Sequence, residues 1–227
     1  RWLVRMSECF SDNKNIVLGY GKYEMHNTFL NSLIRFETMH TAIQYFSYAL
    51  AGIPYMGVGR NLAYKKELFY LNNGFSKHYN IPSGDDDLFI NSVANAQNTT
   101  ICLHHEAHTI SSPPKTWSTW FKQKLRHVST GKYYKIKHKL LLSSYHFFNI
   151  SFWGTFIALC VLSNNLYLIL SLFLIKSVLY MYLMYKNTKI FNEKKLFGLS
   201  VFYEPLLTMT IGTIYIFKLF LKTTKWK

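Results

Sequence analysis

Three apolar runs crowd the end of the chain: Phe147 to Leu162, Leu166 to Tyr185 and Leu196 to Leu221. The second, LYLILSLFLIKSVLYMYLMY, carries one charge in 20 residues. At about 1.5 Å rise per residue, a helix of that length covers the roughly 30 Å hydrocarbon core of a bilayer. It is expected to be a transmembrane helix. The first run is slightly short, and Tyr145 and His146 extend it into the interface. The two are joined by Ser163-Asn164-Asn165, so they read as a helical hairpin. Lys186, Lys189, Lys194 and Lys195 follow the second run, and a basic segment, 115–139, precedes the first. The positive-inside rule places both of those flanks in the cytoplasm. The third run contains Glu204-Pro205, and a proline frees a backbone carbonyl and kinks a helix. Its tail, with Lys218, Lys222, Lys225 and Lys227, is basic too. A third crossing would put its two basic flanks on opposite sides, so its topology stays open.

Before residue 140 polar residues interrupt every apolar run, and that portion reads as α/β. Ile16-Val17-Leu18-Gly19-Tyr20 and Thr99 to Leu103 are strand candidates, and Thr28 to Leu50 has helical spacing of apolar residues. Three domains follow: 1–114, a segment 115–140 that is amphipathic and interfacial, and a membrane region 141–227 with two to three spans. A hydrophobic content of 49% with 18% aromatics excludes disorder. The formal charge of +15 calls for an anionic partner, and much of the excess flanks the apolar runs, which favours membrane lipid over nucleic acid. Cys9, Cys102 and Cys160 are odd in number and far apart, so neither a disulfide framework nor a CxxC zinc site is expected. The chain begins Arg-Trp-Leu-Val-Arg, without Met or a signal-peptide pattern, and reads as a fragment whose N-terminal part is missing.

Four stretches could carry chemistry. Asp85, Asp86 and Asp87 stand at the start of a helix, where one acid would serve as a cap. Adjacent like charges raise one another's pKa, so a triplet suits a general base. Gly57 to Lys66 has too few glycines for a dinucleotide fingerprint and no P-loop Lys-Ser/Thr. It reads either as a tight turn or as backbone close to a ligand, with Arg60 or Asn61 contacting it. His104-His105-Glu106-Ala107-His108 fails as a zinc site because HExxH needs histidines four apart. Gln123 and Arg126 sit on a helix with Trp117, Trp120, Phe121 and Lys124 on one face. That face suits an anchor on acidic lipid, and the Arg fork suits a phosphate or sugar hydroxyl.

In this order, glycine turn with Arg-Asn, acidic triplet, QxxR helix and membrane helices, the chain resembles the C-terminal half of membrane-bound inverting glycosyltransferases of family 2. That GT-A group includes cellulose, chitin and hyaluronan synthases and ceramide glucosyltransferase. The likeness is nearest to bacterial non-processive members and covers essentially all 227 residues. It implies a partial Rossmann-like GT-A domain, an interfacial helix and transmembrane helices in a bacterial inner membrane, with the catalytic part facing the cytoplasm. It implies Asp86 as the base, with Asp85 beside it and Asp87 as a rival one residue on. Gly59, Arg60 and Asn61 fit part of the acceptor floor. Gln123 and Arg126 match the QxxRW box, where His127 replaces the tryptophan. The implied partners are a nucleotide-sugar donor, a lipid-linked or glycan acceptor and membrane lipids, without nucleic acid. A Mg²⁺ or Mn²⁺ ion is expected, held mostly by residues upstream of Arg1, and the fragment alone is expected to be inactive. Two other readings stand beside this one. A non-catalytic membrane scaffold or transporter subunit would use the basic helix to bind acidic lipid, and a metal-dependent hydrolase would use the triplet as ligands.

Overall fold

The computed structural model describes residues 1–81, 83–163 and 165–220. Asn164 of the expected turn, Leu221 and the tail lysines Lys222, Lys225 and Lys227 lie outside the described residues. Five strands of three residues are formed: β1 (Ile16–Leu18), β2 (Gly21–Tyr23), β3 (Leu62–Tyr64), β4 (Thr99–Ile101) and β5 (Thr109–Ser111). The helices are α1 (Trp2–Ser7), α2 (Phe29–Leu50), α3 (Lys66–Leu71), α4 (Asp85–Val93), α5 (Trp117–Thr130), α6 (Ile136–Leu162), α7 (Leu166–Ile190) and α8 (Ser200–Phe220).

β1 is the centre of the polar portion. Side chains alternate along a strand, so an unbroken Ile-Val-Leu run needs cover on both faces. It has that cover. Ile16 and Leu18 join a core with Leu33, Ile34 and Phe36 of α2, while Val17 joins a smaller one with Met6, Cys102 and Ala107. β1 pairs antiparallel with β3 and parallel with β4, and β2 pairs parallel with β5. The α/β expectation therefore holds only coarsely. Helices dominate, and the strands make one mixed sheet ordered β3-β1-β4 and one two-stranded sheet. A doubly wound Rossmann-like sheet does not appear among the described residues.

α2 starts where Thr28 accepts a hydrogen bond from the Asn31 amide, at 3.1 Å, as an N-cap threonine should. α5 starts at a reciprocal cap between Thr116 and Thr119. Of the aromatic stripe of α5, Trp120 and Phe121 pack inward while Trp117 is 51% exposed. Trp120 is 2% exposed and donates to Glu37 of α2, and the Phe121 ring meets Phe217 of α8.

Three helical stretches are long and apolar enough to cross a membrane: Ile136–Leu162, Leu166–Ile190 and Lys194–Lys218. α6 starts ahead of the expected boundary at 140, so one helix joins the polar portion to the apolar run. α6 and α7 form the hairpin, with Phe156 stacked on Phe173 at 4.7 Å between centroids. α8 begins after a tighter helical stretch, Lys194–Leu199, and passes through Pro205 without a break. Its first turns touch the hairpin and α2 together: Ser200 bonds Met181, Glu204 pairs with Lys176, and the Tyr203 ring lies 5.2 Å from Phe36. Its far end returns to α5, where the Lys218 ammonium donates to the Val128 carbonyl at 2.8 Å. α8 thus lies across the base of the hairpin with both ends on the polar portion. The link from α7 to α8 is fastened by a buried ion pair between Arg35 of α2 and Glu193.

Candidate active site

α4 is set up by its first turn. Gly84 precedes it at φ +84°, a left-handed conformation that favours glycine, and a Cβ there would run into the Thr130 side chain and into Asp87 Oδ1. Asp85, Asp86 and Asp87 fill the first turn, where carboxylates favour the helix dipole, and Leu88, Phe89 and Ile90 then anchor the helix in the core. The three acids differ in environment. Asp85 is exposed, Asp86 is half-buried and Asp87 is buried.

Asp86 is oriented by backbone. Its Oδ2 accepts from the Gly59 amide at 2.5 Å, and its Oδ1 from the Asp87 amide at 2.9 Å. A Cβ at Gly59 would sit 3.0 Å from that Oδ2, a tight contact that would push the carboxylate by a few tenths of an ångström. The glycine-rich turn and the acidic triplet, read separately in the sequence, are one structural unit. Asp87 has another task. Its Oδ2 accepts from the hydroxyls of Tyr134 at 2.5 Å and Thr130 at 2.8 Å, which ties α4 to the end of α5 and the turn after it. Burial pushes its carboxyl up to about 6, against the two hydroxyls that pull it down, and the Asp86 charge adds to the rise. Asp87 is a clamp, and Asp86 is the half-buried acid whose carboxylate backbone amides hold at the cavity wall.

All three acids face one cavity of about 540 Å³. Arg60, Gln123, Arg126 and His127 line it as well, so the structure brings these predicted site residues together. Tyr23, which the sequence reading passed over, links two of them. Its ring lies under the Arg60 guanidinium at 4.1 Å, and its hydroxyl accepts from Gln123 Nε2 at 3.3 Å. Glu37 of α2 is a second omission, and it had left a signal as a lone acid in an apolar helix. It accepts from Trp120 Nε1 at 3.2 Å and pairs with Lys124 at 2.5 Å, holding the basic face of α5 toward the cavity. Desolvation, then the charges of Lys124, Arg126 and Arg60, hold the His127 imidazole below its ordinary pKa, so it is neutral at pH 7.

Asn61 is not brought to the cavity. It is 1% exposed, donates to the carbonyls of Tyr20 and Ala107 and accepts from Trp2 Nε1, so every arm of its amide is used in joining the link between β1 and β2, α1 and the turn before β5. The histidine segment forms a short turn, His105–Ala107, whose Glu106 pairs with Arg1 and Arg5. Among the described residues no group of three or more His, Cys, Asp or Glu side chains could hold a metal ion. The Asp86 carboxylate and Asp87 Oδ2 are already engaged by N–H or O–H donors.

The cavity continues past the acids to the membrane helices, where Tyr145 and Asn149 of α6 and Glu204, Thr208 and Ile211 of α8 line it. Between its two ends His40 of α2 accepts or donates a 2.8 Å bond with the Tyr145 hydroxyl. Burial, then nearby His146, lowers the His40 pKa to about 4, so this imidazole is neutral. Neither a protein-family model nor a curated protein matches the chain.

Proposed function

We propose that this chain is the acceptor-side portion of a membrane-bound, inverting sugar transferase of the GT-A type, working at the cytoplasmic face of a bacterial inner membrane. One observation carries the reading: a backbone-oriented carboxylate, Asp86, shares a cavity with a cluster of cationic and polar side chains, and that cavity runs on to membrane helices. Asp86 takes the proton of an acceptor hydroxyl as its oxygen attacks the anomeric carbon of a nucleotide-diphosphate sugar. The bond to the diphosphate breaks on the opposite face, with inversion. Arg60, Lys124 and Arg126 lie where they can neutralise the departing diphosphate, Arg by its planar fork. Neutral His127 supplies a flat ring and a hydrogen bond where the related enzymes carry tryptophan. The Mg²⁺ or Mn²⁺ expected from the resemblance has no ligand set among the described residues, and no step here passes through it.

The test is release of nucleotide diphosphate and transfer of label from sugar nucleotides by the protein of the full gene in its membranes, with and without Mn²⁺. Asp86→Asn is expected to lower turnover by at least about a hundredfold, the usual contribution of general-base catalysis, with folding intact. Turnover near that of the parent would end the assignment.

A further inference from the structure

The two ends of the cavity differ in charge, and that difference specifies the acceptor. At the domain end, acids and cations are mixed: Asp85, Asp86 and Asp87 against Arg60, Lys124 and Arg126. At the membrane end, Glu204 is the only charged side chain among the described lining residues of α6 and α8. Lys176 of α7 pairs with its Oε2 from behind, and the Lys176 ammonium sits among the rings of Phe152, Trp153 and Tyr180 at 4.9, 5.1 and 5.2 Å from their centroids. The pair is neutral as a unit, which is how a carboxylate is kept in such surroundings. Among the described residues no other side chain is hydrogen-bonded to the Glu204 carboxylate, so Oε1 is left for a ligand. The membrane end of the cavity is also lined by Tyr145, Asn149 and Thr208, groups that hydrogen-bond hydroxyls and amides without carrying charge. A lipid phosphate would meet a carboxylate there and no uncompensated cation.

We infer that Glu204 is an acceptor-recognition residue, and that the acceptor is a membrane lipid with an uncharged, hydroxyl-bearing head whose donors bind Glu204 while its apolar part stays between α6 and α8. This deepens the transferase reading and rests on it for the fate of the hydroxyl. Binding itself requires no donor sugar, which keeps the two readings separable. Lys176 is a positioning residue that acts through Glu204.

The experiment uses the protein of the full gene in nanodiscs with a diacylglycerol that carries a photoactivatable acyl chain. Its head is a single uncharged hydroxyl arm. Irradiation without donor is expected to label α6 and α8 peptides, unlabelled diacylglycerol is expected to compete, and phosphatidic acid with the same chains is expected to compete at least about tenfold more weakly. Glu204→Gln is expected to lose about tenfold in labelling, the worth of one hydrogen bond to a charged group. Because that variant strands Lys176, the double variant Lys176→Met with Glu204→Gln is measured beside it, and Ile211→Trp, which fills the passage, supplies a third route to the same loss. Equal competition by phosphatidic acid, or parental labelling in the folded double variant, overturns the inference. If no donor releases nucleotide diphosphate while the labelling pattern holds, the transferase reading falls and the lipid site stands.

Discussion

Removing the Tyr134 hydroxyl tests how the acidic triplet is divided between a clamp and a reactive group. In the parent, Asp87 Oδ2 accepts from Tyr134 at 2.5 Å and Thr130 at 2.8 Å, and its Oδ1 is buried without a hydrogen-bond partner among the described residues. Burial is the largest influence and lifts the carboxyl from 3.8 to about 6, and the Tyr134 bond is the largest force pulling the other way. A folded-state pKa above the unfolded one means the native protein holds the extra proton between about pH 4 and 6. Stability from this group is present below the lower value and is lost as pH rises through the upper one, a difference of about 3 kcal/mol. Tyr134→Phe deletes the stronger of the two donors. Above pH 7, where Asp87 is ionised, the loss is that of a charge-assisted bond, about 2 kcal/mol, and at pH 5 that of a neutral bond, about 1 kcal/mol. For a chain of this size each kcal/mol moves the melting temperature by about 2–4 °C. The expected shift is therefore about 4–8 °C at pH 8 and about half that at pH 5, read by tryptophan fluorescence during thermal unfolding in nanodiscs. Equal shifts at the two pH values would show that the hydroxyl does not serve a titrating carboxylate and would refute the argument.

Two further substitutions probe the frame around the site. Gly84→Ala combines a left-handed backbone with a Cβ driven into Thr130 and Asp87, and is expected to lower stability by at least about 2 kcal/mol, seen as a fall of about 4 °C or more in the same melt. A melting temperature within a degree of the parent would contradict that packing. Glu193→Gln leaves Arg35 buried without its counter-charge and is expected to cost about 3–5 kcal/mol, whereas replacing both partners by Met is expected to recover most of it. A double variant as unstable as the single one would mean that the pair holds α2 to the membrane helices by more than charge compensation.

What the sequence determined by itself are the features that depend on neighbours along the chain. Hydropathy located α6 and α7, apolar spacing located α2, and a glycine followed by acids located the start of α4, because each is decided within a few turns of backbone. The candidate residues Asp85, Asp86, Arg60, Gln123, Arg126 and His127 were legible as types, and they do share a cavity. Their division of labour was not legible. That Asp86 is held by the Gly59 amide while Asp87 is buried under Thr130 and Tyr134 depends on α4, α5 and the glycine turn meeting in space. The same holds for Asn61, whose amide is spent on three distant backbone and side-chain partners, and for Tyr23 and Glu37, whose roles exist only once β2 and α2 face α5. The third apolar run shows the limit most plainly. Its composition allows a crossing, yet only tertiary packing lays α8 across the hairpin, because an apolar helix buries its surface equally well against lipid or against α5, α6 and α7, and the choice is made by the contacts at its two ends.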